Sequence, residues 1–167
     1  MGDKKAANKP TTNQTKDAGR LQEAHGDWVV LGTTRANGDA TEKVCAIVQE
    51  QTYNENDKRQ RLLRAELRPE AGGVTGVLVL PFGLLFQRGV VLQIDEGLQA
   101  PPRGFRTAMP LGCIVDIKID AENVAHLKQG KTLHLHAIAA DTGKNVVFAI
   151  SLKGFTEALA AAEAFLK

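Results

Sequence analysis

Few side chains in this 167-residue sequence have the types and spacing that do chemistry. His134 and His136 stand two apart, so on a strand they would project to the same side and offer two imidazoles to a metal. A structural zinc site takes four ligands and a catalytic one about three plus water, and His25 and His126 stand at no motif spacing. An exposed polar strand face explains the histidine pair better; a metal-dependent hydrolase built on it is the weaker alternative. Asp95-Glu96 adjoin at a strand end and point to opposite sides, which suits a turn rather than an acid–base pair. Ser151 is the only serine; it lies inside an apolar strand without a nucleophile-elbow context. No phosphate-cradling glycine motif precedes a helix. The chain therefore reads as non-enzymatic, with no catalytic residue, metal ligand or cofactor site. Two kinds of residue remain. Cys45 and Cys113 allow one disulfide in an oxidising compartment, closing a loop worth roughly 4 kcal/mol; in a reducing one they are two buried free thiols. Arg59, Arg61, Arg64 and Arg68, with Lys58, form the densest basic stretch. They are the candidate partner-binding residues, because arginine forks match paired oxygens; the bland reading is a solubilising outer face that blunts sheet-edge pairing.

Alternation of apolar and polar residues supplies the elements that carry these groups. The first strand opens at Gly26–Leu31 around Trp28, the only tryptophan, whose large ring belongs in the core. Asn37-Gly38-Asp39 is turn chemistry. Lys43–Thr52 is apolar on both faces and so central. Arg61–Arg68 alternates, with Leu63, Ala65 and Leu67 inward and Arg64, Glu66 and Arg68 outward. Gly72-Gly73 marks a turn. The runs Val77–Phe86 and Val90–Ile94 enclose Arg88-Gly89 and look like two neighbouring strands. Gly97–Gly104, with Pro101-Pro102, is a loop that cannot be helical. Cys113, Val115, Ile117 and Ile119 share a buried face. Asp120 caps a short helix, 121–129, ended by Gly130. Two strands follow, Thr132–Ala139 and Asn145–Leu152, then a C-terminal helix over Phe155–Lys167. The expected fold class is all-β: an antiparallel β-sandwich of immunoglobulin-like layers with these two helices.

Length suits one domain, residues 26–167, behind a polar leader, residues 1–25, too poor in large apolar residues to repay its ordering entropy. From Gly26 onward 16 acidic residues balance 16 basic ones, which argues against a nucleic-acid binder. No apolar run reaches the roughly 18–20 residues that cross a bilayer. Met1–Leu21 has lysines without the apolar segment of a secretory signal, so the chain reads either as cytosolic or as a mature form whose signal has been replaced.

The run LPFGLLFQRGVVLQIDEG, then FRTAMPLGC and the closing ISLKGFTEAL, resembles the invasion-associated locus B proteins of Gram-negative bacteria; GDWVV and CAIVQ also fit, so the likeness spans roughly Gly26 to Leu166. It implies an exported β-sandwich, in the periplasm, associated with the outer membrane or secreted, linked to host-cell (erythrocyte) invasion and without known enzymatic activity. Its partner would be a host-cell surface or bacterial envelope protein, and a periplasmic chaperone or envelope-maintenance role is the rival. Family members commonly carry two further cysteines, at sites held here by Leu31 or a neighbour and by Ala108. Their joint loss implies one lost bridge and a surviving Cys45–Cys113 disulfide; pairing of sequence neighbours in the family would instead leave both thiols free here.

Overall fold

The computed structural model of the chain describes residues 19–167. Most of the expected leader lies outside them, but Arg20–His25 does not: it forms strand β1, paired along its whole length with β2, Trp28–Asn37. The fold therefore begins before Gly26, because Leu21 packs against the core from an otherwise polar segment.

The described residues form ten strands in two antiparallel sheets. β2 turns at Gly38-Asp39 into β3, Ala40–Glu55, and β3 turns at Asn56-Asp57 into β4, Lys58–Glu70. Asn56 and Asp57 both take positive φ, 51° and 60°, the geometry that matches a two-residue hairpin to strand twist. Gly72-Gly73 leads into β5, Gly73–Leu80. These five strands meander, and β8, Gly112–Asp120, then the short edge strand β7, Thr107–Met109, extend the sheet to the order β1-β2-β3-β4-β5-β8-β7. The second sheet has the order β10-β9-β6, from Asn145–Ser151, Thr132–Ile138 and Val91–Ile94.

Val77–Phe86 and Val90–Ile94 are thus not paired strands, as the sequence pattern suggests, but members of different sheets. Pro81 lacks a ladder donor and ends β5; the chain crosses over through Gly83, at φ 87°, and the one-turn 3₁₀ helix Phe86–Arg88 before entering β6.

Ladders across the large sheet place Trp28, Val30, Cys45, Ile47, Ala65, Leu67, Leu78 and Val115 on its inner face, and Leu92, Leu135 and Phe148 face them from the small sheet in one continuous core. Helix α2, Phe155–Leu166, lies on the β1–β4 part of the same face. Its Phe155 meets Trp28 edge to face at 5.6 Å, and a side chain at Gly32 would strike Phe165. Helix α1, Ala121–Gln129, buries Val124 and Leu127, with Asp120 accepting from Asn123 N at its start.

Two glutamines of β3 close the gap between the sheets. Buried Gln49 donates through Nε2 to Ser151 O at 2.8 Å and accepts from Ser151 N at 3.1 Å, and Gln51 donates to Ala149 O. The free edge of β10 thus finds amide partners that imitate a strand, and Trp28 Nε1 also donates to Ser151 O. These bonds satisfy backbone groups at the edge of the small sheet that have no strand beside them.

The expected Cys45–Cys113 disulfide is absent: both cysteines are buried free thiols. β3 and β8 are separated by β4 and β5, three strand intervals of about 4.8 Å each. The ladder Ile47–Leu67–Gly76–Ile117 also sets Cys45 level with the Ile119 end of β8, whereas Cys113 stands at the other. A bridge needs Cα atoms within about 4.4–6.8 Å. Facing one core is not the same as being neighbours in it.

Candidate recognition surface

Arg59, Arg61, Arg64 and Arg68 share the outer face of the large sheet, which strict alternation does not predict. Arg61 has the parity of inward-facing Leu63. The register between β3 and β4 shifts at Gln51/Thr52, so that Gln51 opposes Leu63 while Thr52 opposes Arg61, and Leu62 is the extra residue of a bulge. A bulge re-aims the strand beyond it, which turns Arg59 and Arg61 to the side of Arg64 and Arg68.

The same register sets acidic side chains among them. Glu50 Oε2 receives Arg61 Nε at 3.2 Å and Arg64 Nη1 at 3.1 Å, Glu66 receives Arg64 Nη2 at 3.2 Å and Arg68 Nη2 at 3.0 Å, and Arg59 Nε donates to Thr52 Oγ1 at 2.9 Å. The stretch that reads as basic in sequence is a ladder of alternating charge in space. Burial alone would raise the carboxyls of Glu50 and Glu66, but hydrogen bonds and charge from Arg64 with Arg61, and from Arg68 with Arg64, outweigh it and hold both below the ordinary carboxylate range. The Arg68 side chain is 57% exposed, so the network keeps donors facing solvent. It fixes the arginine forks in place, so that little side-chain freedom remains to be lost on meeting a partner.

The other chemistry-bearing groups do not converge. His134 and His136 lie on the outer face of β9 with ring centroids 6.4 Å apart; His136 Nε2 is 2.8 Å from Gln93 Oε1, and its Nδ1 is 3.5 Å from Asn145 Nδ2. Among the described residues no three His, Cys, Asp or Glu side chains gather as a metal site. Asp95, at φ 50°, accepts from the backbone N–H groups of Thr132 and Lys131, which hold its carboxyl below the ordinary range; it pins the α1–β9 connection. Burial raises the thiols of Cys45 and Cys113, which keeps them protonated and poor nucleophiles. A cavity under the Gly97–Gly104 loop, with Arg103 in its wall, went unread: only the loop's length and prolines marked it in the sequence.

A profile described as invasion associated locus B (IalB) protein matches residues 28–163. The chain belongs to the invasion associated locus B family. An invasion protein B homolog of Brucella abortus (strain 2308) is 40% identical over 151 residues, covering 90% of this chain and 83% of its own length. Invasion protein B of Bartonella bacilliformis is 32% identical over 160 residues, covering 93% and 82%. The crystal structure of invasion associated protein b from Bartonella henselae superposes with a TM-score of 0.74 at 32% identity, covering 86% of this chain and 95% of that one.

The register shows what faces each free thiol. Ala108 lies directly opposite Cys113, and Gly32, next to Leu31, directly opposite Cys45. Among the described residues, no helix is long and apolar enough to cross a membrane.

Proposed function

We propose that this protein is exported and acts without catalysis as a recognition domain in host-cell invasion, erythrocytes included, presenting the charged outer face of β3 and β4 to a protein partner. The observation that carries this reading is the family match across residues 28–163, together with relatives named invasion protein B. Two features of the molecule support it. The groups able to do chemistry are dispersed over separate surfaces, and the arginine–glutamate ladder is pre-set on a rigid sheet, as expected of a surface that binds rather than transforms. Electrostatic complementarity of that kind speeds encounter and selects partners more than it adds affinity.

The test is a capture experiment with purified protein against host membrane proteins and bacterial envelope proteins in parallel. The control is a variant carrying Arg59→Gln, Arg61→Gln, Arg64→Gln and Arg68→Gln, with its fold checked by thermal melting. A host partner captured by the wild type and lost by the variant supports the reading. Capture of envelope proteins alone favours envelope maintenance, and capture indifferent to the four substitutions removes this face from the account.

A further inference from the structure

A cavity of about 530 Å³ opens between α1, the end of the small sheet and the Gly97–Gly104 loop. Leu92, Ile94, Leu127 and Leu133 make its interior apolar, and Arg103 stands in its wall; Lys118 alternates to the exposed side of β8 and meets Arg103 through its carbonyl. Its size falls within the roughly 300–1,000 Å³ of pockets that enclose small molecules. Arg103 is held in place. Its backbone exchanges two hydrogen bonds with Val90, each 2.8 Å, and its Nη2 donates to Lys118 O at 3.0 Å. Its Nε–H is shielded from solvent and has no acceptor among the described residues, a state that costs a buried donor about 1–3 kcal/mol. Neither Arg103 nor Lys118 has a carboxylate within 4.0 Å among the described residues. Among the described residues the one carboxylate lining the cavity, Asp120, is committed to Asn123 N at 2.8 Å and Asn123 Nδ2 at 3.0 Å. An apolar hold beside an unpaired guanidinium is complementary to a molecule with an aliphatic tail and an anionic head.

We propose that this cavity binds a medium-chain fatty acid, its tail among Leu92, Ile94, Leu127 and Leu133 and its carboxylate on the Arg103 guanidinium. The guanidinium fork matches a carboxylate in shape and charge, and a cavity of this volume suits one chain rather than the two of a phospholipid. The site is built by β6, β9, α1 and the Gly97–Gly104 loop, shares no residue with the β3–β4 arginines, and is independent of what they bind.

The test titrates the full chain with decanoate, decanol and decyltrimethylammonium below their micellar concentrations, reading methyl NMR shifts and melting temperature. Decanoate shifts the methyl signals of Leu92, Ile94, Leu127 and Leu133 and raises the melting temperature; decanol binds at least about tenfold more weakly, and the cationic amphiphile more weakly still. Arg103→Met weakens decanoate severalfold and leaves decanol unchanged. Should Arg103→Met fail to fold, Arg103→Gln, which keeps a polar side chain but removes the charge, carries the same test. Decanoate that leaves these methyl groups unmoved, that binds no better than decanol, or that binds the Arg103 variant as it binds the wild type overturns the proposal.

Discussion

At the scale of single residues, Glu66 couples the arginine face to stability. Its carboxyl sits below the ordinary range in the folded protein, so it contributes stability that is present above the unfolded value, near pH 4.3. That stability is lost as pH falls through the unfolded value to the folded one. Glu66→Gln removes this dependence. Urea unfolding at pH 7 and at about pH 3.5 should show the variant losing less stability on acidification than the wild type, although it is the less stable protein at pH 7. An equal loss in both would mean that the ion pairs contribute nothing. The thiols give a second outcome. Cys45 and Cys113 should resist a thiol reagent in the folded protein, react together in urea, and leave the melting temperature indifferent to reductant. The spacing of the two cysteines in the sequence carried no information on this point, because only strand order reveals that β4 and β5 stand between them.

At the scale of elements, the pairing of β7 with β8 makes a constructive prediction. Ala108 faces Cys113 across the ladder, at the Cα spacing of about 4.5–5.5 Å that adjacent strands impose and a disulfide accepts. Ala108→Cys should oxidise to a bridge with Cys113, stabilising the protein by about 2 kcal/mol for so short a loop. Peptide mapping after oxidation checks the linkage, and unfolding with and without reductant checks the gain. The junction of α2 with the β1–β2 turn predicts a loss. Gly154 has φ 83°, and a Cβ there would come within 2.0 Å of His25 O. Gly154→Ala should therefore cost more than about 2 kcal/mol, read as a lowered urea midpoint. These elements differ in how legible they were. Helix α1, with its Asp120 cap and Gly130 end, follows from local pattern and appears where expected. The bulge at Leu62 does not: no turn residue marks it, and it exists because β3 and β4 accommodate one more residue on one strand than on the other. β7 is three exposed residues without alternation to betray it.

At the scale of the whole molecule, alternation within each strand conveyed an all-β, two-layer chain with two helices, but not the partition into seven strands and three. That partition is set by the crossover after Pro81 and by the glutamines that join β3 to β10, long-range choices for which a local pattern has no signal. The same holds for the arginine face. Its residues were visible as a basic stretch, while Glu50, brought beside Arg61 and Arg64 by the β3–β4 ladder, was not. The cavity at Arg103 is assembled from loop, strands and helix, and only the fold unites them. What the molecule then offers is a rigid sheet with a fixed pattern of charge, in a family named for invasion. The most direct measurement is host-cell entry by a bacterial strain lacking this protein, complemented with the wild type or with the Arg59, Arg61, Arg64 and Arg68 to glutamine variant at equal protein level. The account predicts that entry falls on deletion, returns with the wild type and stays low with the variant; entry unchanged by deletion, or restored in full by the variant, would contradict it.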